Sequence, residues 1–108
     1  MTNSRAKGAR GEREWRDFLK SYGHEARRGQ QFSGANGDPD VVSDMTDIHF
    51  EVKRVEALNL DKAMEQATND ARTGETAVVV HRKNGKPWKV TMLADDWMKL
   101  YEDSKKGE

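Results

Sequence analysis

The chain has 108 residues, 34% of them hydrophobic and 35% charged, which suits one domain with a modest core and a heavily charged surface. It has no cysteine, which excludes disulfides and thiolate metal sites, and no apolar run near the ~20 residues that span a bilayer. Its 19 basic and 19 acidic residues cancel, yet residues 1–28 hold eight Lys/Arg against four Asp/Glu, so the amino-terminal part is a candidate phosphate-facing surface on an otherwise acidic chain.

Residues 1–6 read as a loose terminus. A helix is predicted from Lys7 to about Tyr22, capped by Gly23, with Trp15, Phe18, Leu19 and Tyr22 as its apolar stripe. One turn back, that stripe reaches Gly8, Gly11 and Glu12. A carboxylate at Glu12 then needs a partner or a metal, and the two glycines suggest close approach of another element. Arg10 and Arg13 take the other faces. His24 to Arg28 reads as a short strand carrying Arg27 and Arg28, and Gly29 to Gly37 as a glycine- and amide-rich loop able to bring backbone N–H groups to a phosphate. Arg28 and Ser33 are its best contact candidates.

Two strand-like segments follow. The first is Asp38-Pro39-Asp40-Val41-Val42, where proline sets extended geometry at the strand entry. The second is Ile48-His49-Phe50-Glu51-Val52-Lys53-Arg54. Its alternation puts Ile48, Phe50 and Val52 on one face and His49, Glu51 and Lys53 on the other. If Ser43 to Asp47 is the turn of a hairpin, Asp40 lies across from Glu51 or Lys53. Two carboxylates and an ammonium then share one patch, which suits metal-assisted phosphodiester hydrolysis. His49 shares the Glu51 face and is read as solvated.

Asn59 and Asp61 signal the start of a second helix, with stripe residues Leu60, Ala63, Met64, Ala67 and Ala71 and an end near Gly74. Gln66 sits beside that stripe. Thr76 to His81 is a strand apolar enough to be buried on both faces, and Asn84-Gly85 signals a hairpin into a last strand, Pro87 to Met92. Asp95 to Tyr101 is a final helix, and residues 102–108 read as a loose tail. The whole is a single α/β domain, residues 1–108, in which helices flank a central mixed five-stranded sheet in the order α-β-β-β-α-β-β-α.

The run Lys7-Gly8-x-x-Gly11-Glu12-Arg13-Glu14, the glycine-rich loop, Pro39-Asp40-Val41-Val42 and Glu51-Val52-Lys53 together resemble the PD-(D/E)xK nuclease superfamily. Within it they are most similar to the small Holliday-junction resolvases of archaea and phages. The resemblance spans about residues 7–92 and implies a restriction-endonuclease-like core. It implies Mg²⁺, with Mn²⁺ as the alternative, held by Asp40, Glu51 and the Val52 carbonyl, with Glu12 completing the acidic site. Lys53 would position or activate the attacking water. Asp38 and Gln66 would support the site, and Arg10, Arg28 and Ser33 would lie near the scissile phosphate; by their charge, Arg13, Arg27 and Arg54 are further candidates for binding DNA. It further implies branched DNA, four-way junctions above all, as substrate, and a homodimer. No signal-peptide pattern opens the chain, so a cytoplasmic protein is expected, in the host's cytoplasm if phage-encoded. Trp88, Trp97, Met98, Leu100 and Tyr101 form an apolar surplus that would serve either core or dimer face. Two other functions fit the same residues. One is a restriction-like, repair or flap-type nuclease, and the other is a non-catalytic DNA-binding module on a nuclease fold.

Overall fold

The computed structural model describes residues 4–30 and 38–107. In chain order these form α1 (Ser4–Ser21), β1 (Ala26–Arg28), β2 (Val41–Ser43), β3 (Ile48–Arg54), α2 (Leu60–Asp70), β4 (Thr76–Arg82), β5 (Lys89–Thr91) and α3 (Ala94–Lys106). The five strands make one mixed sheet in sequence order. Its neighbours are antiparallel except β3 and β4, which run parallel in the register Ile48 to Thr76 through Arg54 to Arg82. A parallel pair needs a crossover, and α2 supplies it.

The alternation of β3 decides the two layers. Phe50 and Val52 face α1, where Trp15 and Leu19 close a core with Val41, Val78 and Val80. Trp15 is its centre: its ring meets Phe50 at 5.5 Å and Trp88 at 5.2 Å between centroids. On the opposite face Ala63, Met64 and Ala67 of α2 pack on Ala77 and Val79 of β4. β4 is therefore buried from both sides, as its unbroken apolar run requires. Asn59 caps α2 by accepting from the Lys62 N–H at 3.1 Å.

α1 lies close on the sheet because Gly11 lets it. A Cβ there would stand 2.9 Å from the Arg54 Cβ, so a larger residue would push helix and strand apart. Gly8 meets nothing within 4 Å and has no such role. At Gly29 a Cβ would collide with the Pro39 carbonyl, and the Gly29 N–H donates to the Asp40 carbonyl at 2.9 Å. That contact binds the end of β1 to the entry of β2, where the site begins.

Several predicted bounds move. α1 starts at Ser4, not Lys7. α2 stops at Asp70 because the chain then turns, with the Arg72 N–H on the Glu75 side chain at 2.7 Å. α3 continues past Tyr101 to Lys106. Asp95 and Asp96 at its start and Lys105 and Lys106 at its end complement the helix dipole along that extra length. α3 buries none of its residues, and Trp97, Met98, Leu100 and Tyr101 stay exposed, whereas Trp88 joins the Trp15 core. Tyr22 and the edge of Phe18 also remain outside the core. No described helix is long and apolar enough to cross a membrane.

Candidate active site

The β2–β3 pairing sets Val41 opposite Phe50. Counting one residue back on β2 and one on along β3 sets Asp40 opposite Glu51, with both side chains on the same face. The Asp40 N–H still donates to the Phe50 carbonyl at 3.0 Å, but the next ladder position is taken by a side chain: Asp40 Oδ2 accepts from the Val52 N–H at 2.9 Å. The strands part there. In a strand the N–H and C=O of one residue leave on the same edge, so the Val52 carbonyl also points toward Asp40.

Glu51 is only 5% exposed, and Lys53 Nζ lies 3.5 Å from its Oε2. Burial first, then the facing charge of Asp40 and a hydrogen bond between the two carboxyl groups, raise the Glu51 pKa to about 8 against the opposing effect of Lys53. Glu12 comes from α1, its carboxylate held by Arg28, whose Nε and Nη2 reach Oε1 at 3.1 and 3.0 Å. Burial and then the charge of Asp40 raise the Glu12 pKa, and Arg28 pulls it back. Asp40 thus acts electrostatically on both glutamates. Asp38 points elsewhere: its carboxylate accepts from the Gln30 N–H at 3.0 Å and faces Arg27 at 3.4 Å. That backbone donor, then Arg27, lower its pKa against the opposing effect of burial. The pair flanking Pro39 is therefore divided between a carboxylate facing Glu51 and one that fixes the loop entry.

The remaining predicted positions spread more widely. Arg10 is exposed and paired with Glu14 at 3.1 Å, Arg13 is exposed, and Arg27 is 59% exposed. Ser33 lies outside the described residues. Gln66 is exposed on α2, in a polar groove with Asn59, Lys62 and Asn69. Arg54, expected on the DNA surface, is buried. Its guanidinium binds Glu14 Oε1 at 2.8 Å and Asn84 Oδ1 at 3.1 Å, so it ties α1 to the sheet and to the β4–β5 turn. The alternation that exposes Lys53 turns Arg54 under α1. His49, read as solvated, is 3% exposed. It stands with Glu51 and Asp70 in a group whose candidate ligand atoms all lie within 4.8 Å of one another. Glu75 Oε1 is 3.5 Å from its Nδ1. Neither Asp70 nor Glu75 was marked by the sequence; the shared face of His49 and Glu51 was the available sign.

Two carboxylates and a backbone carbonyl converging at a strand fork make a hard oxygen donor set, the kind that takes Mg²⁺ or Mn²⁺. The Glu51 pKa is raised first by burial and then by the charge of Asp40, and a cation there would lower it. A mixed five-stranded sheet flanked by helices, with an acid before β2 and Glu-x-Lys on β3, is the PD-(D/E)xK nuclease fold. Among solved structures the chain is similar to the Hjc protein of Archaeoglobus fulgidus, described as a Holliday junction resolvase from an archaeal hyperthermophile. The identity is 29% and the TM-score 0.59, over 80% of this chain and 72% of that one. No protein-family model matches the chain, and no curated protein is significantly similar to it in sequence.

Proposed function

We propose that the chain is a metal-dependent, structure-selective endodeoxyribonuclease that hydrolyses phosphodiester bonds in branched DNA, acting as a Holliday-junction resolvase. The observation that carries this is the Asp40–Glu51 pair with Lys53 Nζ 3.5 Å from Glu51, on a fold similar to that of the Archaeoglobus protein. Asp40, Glu51 and the Val52 carbonyl would hold Mg²⁺, which supplies Lewis-acid polarisation of the phosphodiester and a lowered water pKa.

The chain's own residues do the rest. The Val52 N–H fixes the Asp40 carboxylate in place. Lys53 orients the attacking water and offsets charge gathering on the phosphate oxygens. Arg28 holds Glu12 at the edge of the site and, with Arg27 and Arg10, offers cations to the backbone. These contacts read phosphate positions and shape, not bases. Two such sites are needed to cut two strands of a junction. The exposed Trp97, Met98, Leu100 and Tyr101 of α3 support a homodimer formed on that face.

The deciding experiment compares cleavage of a labelled four-way junction with that of a matched linear duplex, in Mg²⁺ and in EDTA, for wild type and Glu51→Gln. Paired symmetric nicks on the junction alone, lost in EDTA and in the variant, are the expected result. Equal cutting of both substrates refutes junction selectivity, and junction binding without cutting by the wild type refutes the nuclease.

A further inference from the structure

The face of β3 that carries Glu51 holds a second group of donors. One ring nitrogen of His49, one oxygen of Glu51 and one of Asp70 lie within 4.8 Å of one another. Ligands of a tetrahedral ion bonded at about 2.0–2.2 Å stand about 3.3–3.6 Å apart, so closing this group takes shifts of up to about an ångström.

Two further features point to a cation. His49 is 3% exposed, and its Nδ1 is buried without a hydrogen bond. An imidazole so placed leaves polar capacity unmet. Asp70 is the last residue of α2, whose final turn has no basic residue, so its carboxylate sits at the negative end of the helix dipole. With Glu51 and Glu75, three carboxylates crowd one imidazole.

We infer that His49, Glu51 and Asp70 form a second divalent-cation site, one that takes a nitrogen-accepting transition ion such as Zn²⁺. The inference rests on the reading of Glu51 as a ligand of the first ion; Glu51 then bridges the two positions. Imidazole suits Zn²⁺ far better than Mg²⁺, which keeps to oxygen. His49 binds the ion through Nδ1, the ring nitrogen left without a hydrogen bond, and Glu75, whose Oε1 stands 3.5 Å from that nitrogen, lies at the edge of the site and adds negative charge to it. The bound ion pins the end of α2 to β3 and cancels charge beside the scissile phosphate.

The test is calorimetric titration of the metal-free chain with Zn²⁺ and with Mg²⁺, together with imidazole ¹⁵N resonances assigned by His→Gln variants. Wild type should bind two Zn²⁺ and shift the His49 nitrogens, whereas Mg²⁺ should bind once and leave them in place. His49→Gln and Asp70→Asn should each remove one Zn²⁺ equivalent, and Glu75→Gln should weaken that site about 10- to 100-fold. Should His49→Gln fail to fold by circular dichroism, Asp70→Asn, at a partly exposed helix end, decides alone. One Zn²⁺ per chain in wild type, an unmoved His49 resonance, or a folded variant that keeps both equivalents overturns the inference. Loss of the nuclease reading shows separately, as absence of Mg²⁺-dependent junction cutting.

Discussion

Glu51→Gln should stabilise the metal-free protein while abolishing cutting. Folding moves the Glu51 pKa from the ordinary 4.5 to about 8, so between those values the folded chain holds a proton that the unfolded chain has released. At pH 7 that difference corresponds to up to about 3 kcal/mol, at ~1.4 kcal/mol per unit. Neighbouring groups relax, so about half, ~1.5 kcal/mol, is the working figure. For a domain of this size it raises Tm by roughly 6–12 °C. The sign follows from proton binding: the folded state binds more protons, so wild-type stability falls as pH rises from about 4.5 through 8 and levels off above. The raised Glu12 adds to this trend, His81, lowered from 6.5 by burial, opposes it just below pH 6.5, and Asp17, Asp38 and Asp44, lowered from 3.8, act only below that window. The assay is thermal denaturation in EDTA at intervals from about pH 5 to pH 9. Wild type should lose stability across the range, Glu51→Gln should be flatter and more stable at the alkaline end, and saturating Mg²⁺ should raise the wild type there by mass action. A flat wild-type profile, or a variant less stable than wild type at pH 8, would refute the account of Glu51 as a carboxylate held against its own desolvation.

Four further outcomes separate structural from functional roles. Gly11→Ala should destabilise by about 1–2 kcal/mol in denaturant titration, because its Cβ meets the Arg54 Cβ at 2.9 Å, whereas Gly8→Ala, in open space, should stabilise by about 0.5–1 kcal/mol. Arg54→Met should cost about 2 kcal/mol by leaving Glu14 and Asn84 with a lost partner. Arg27→Ala should leave stability within about 0.5 kcal/mol but weaken DNA binding and reduce its salt slope by about 1. Lys53→Met should lower the single-turnover cutting rate about 10²- to 10³-fold with unchanged Mg²⁺ affinity by calorimetry.

What the sequence revealed of the site follows from how local the determinants are. Strand alternation and a short hairpin set Asp40 across from Glu51 or Lys53, and only the register of the paired strands, Val41 opposite Phe50, chose Glu51. The same alternation placed Arg54 on the Val52 face, and Gly11 announced that something approaches α1. Their meeting was not legible, because the partner, Glu14, comes from 40 residues away along the chain. His49 failed for the mirror reason. Its face was known, but its burial depends on where α2 ends and on the Arg72–Glu75 turn, and neither leaves a periodic trace. In α3 the amphipathic stripe was visible and its fate was not, since a stripe of Trp97, Met98, Leu100 and Tyr101 reads alike whether a core or a second chain covers it.

On the nuclease reading, the ion pairs decide which arginines remain for DNA. Arg10 and Arg27 are 63% and 59% exposed, and exposed pairs are worth about 0–1 kcal/mol, so phosphates can replace Glu14 and Asp38 as their partners at little cost. Arg54, at 6%, cannot leave Glu14 without unpacking α1. Arg28 lies between these cases, since its partner Glu12 is half-buried in the field of Asp40 and already has a raised pKa. Were Arg28 to turn to a phosphate alone, Glu12 would be driven toward its neutral form. A cation at Asp40 and Glu51 removes that penalty by screening Asp40, so cation and phosphate each favour the other's arrival. On the nuclease reading, DNA affinity and metal affinity are thereby linked through Glu12, a residue whose role lies in that exchange of partners as much as in any direct bond to the ion.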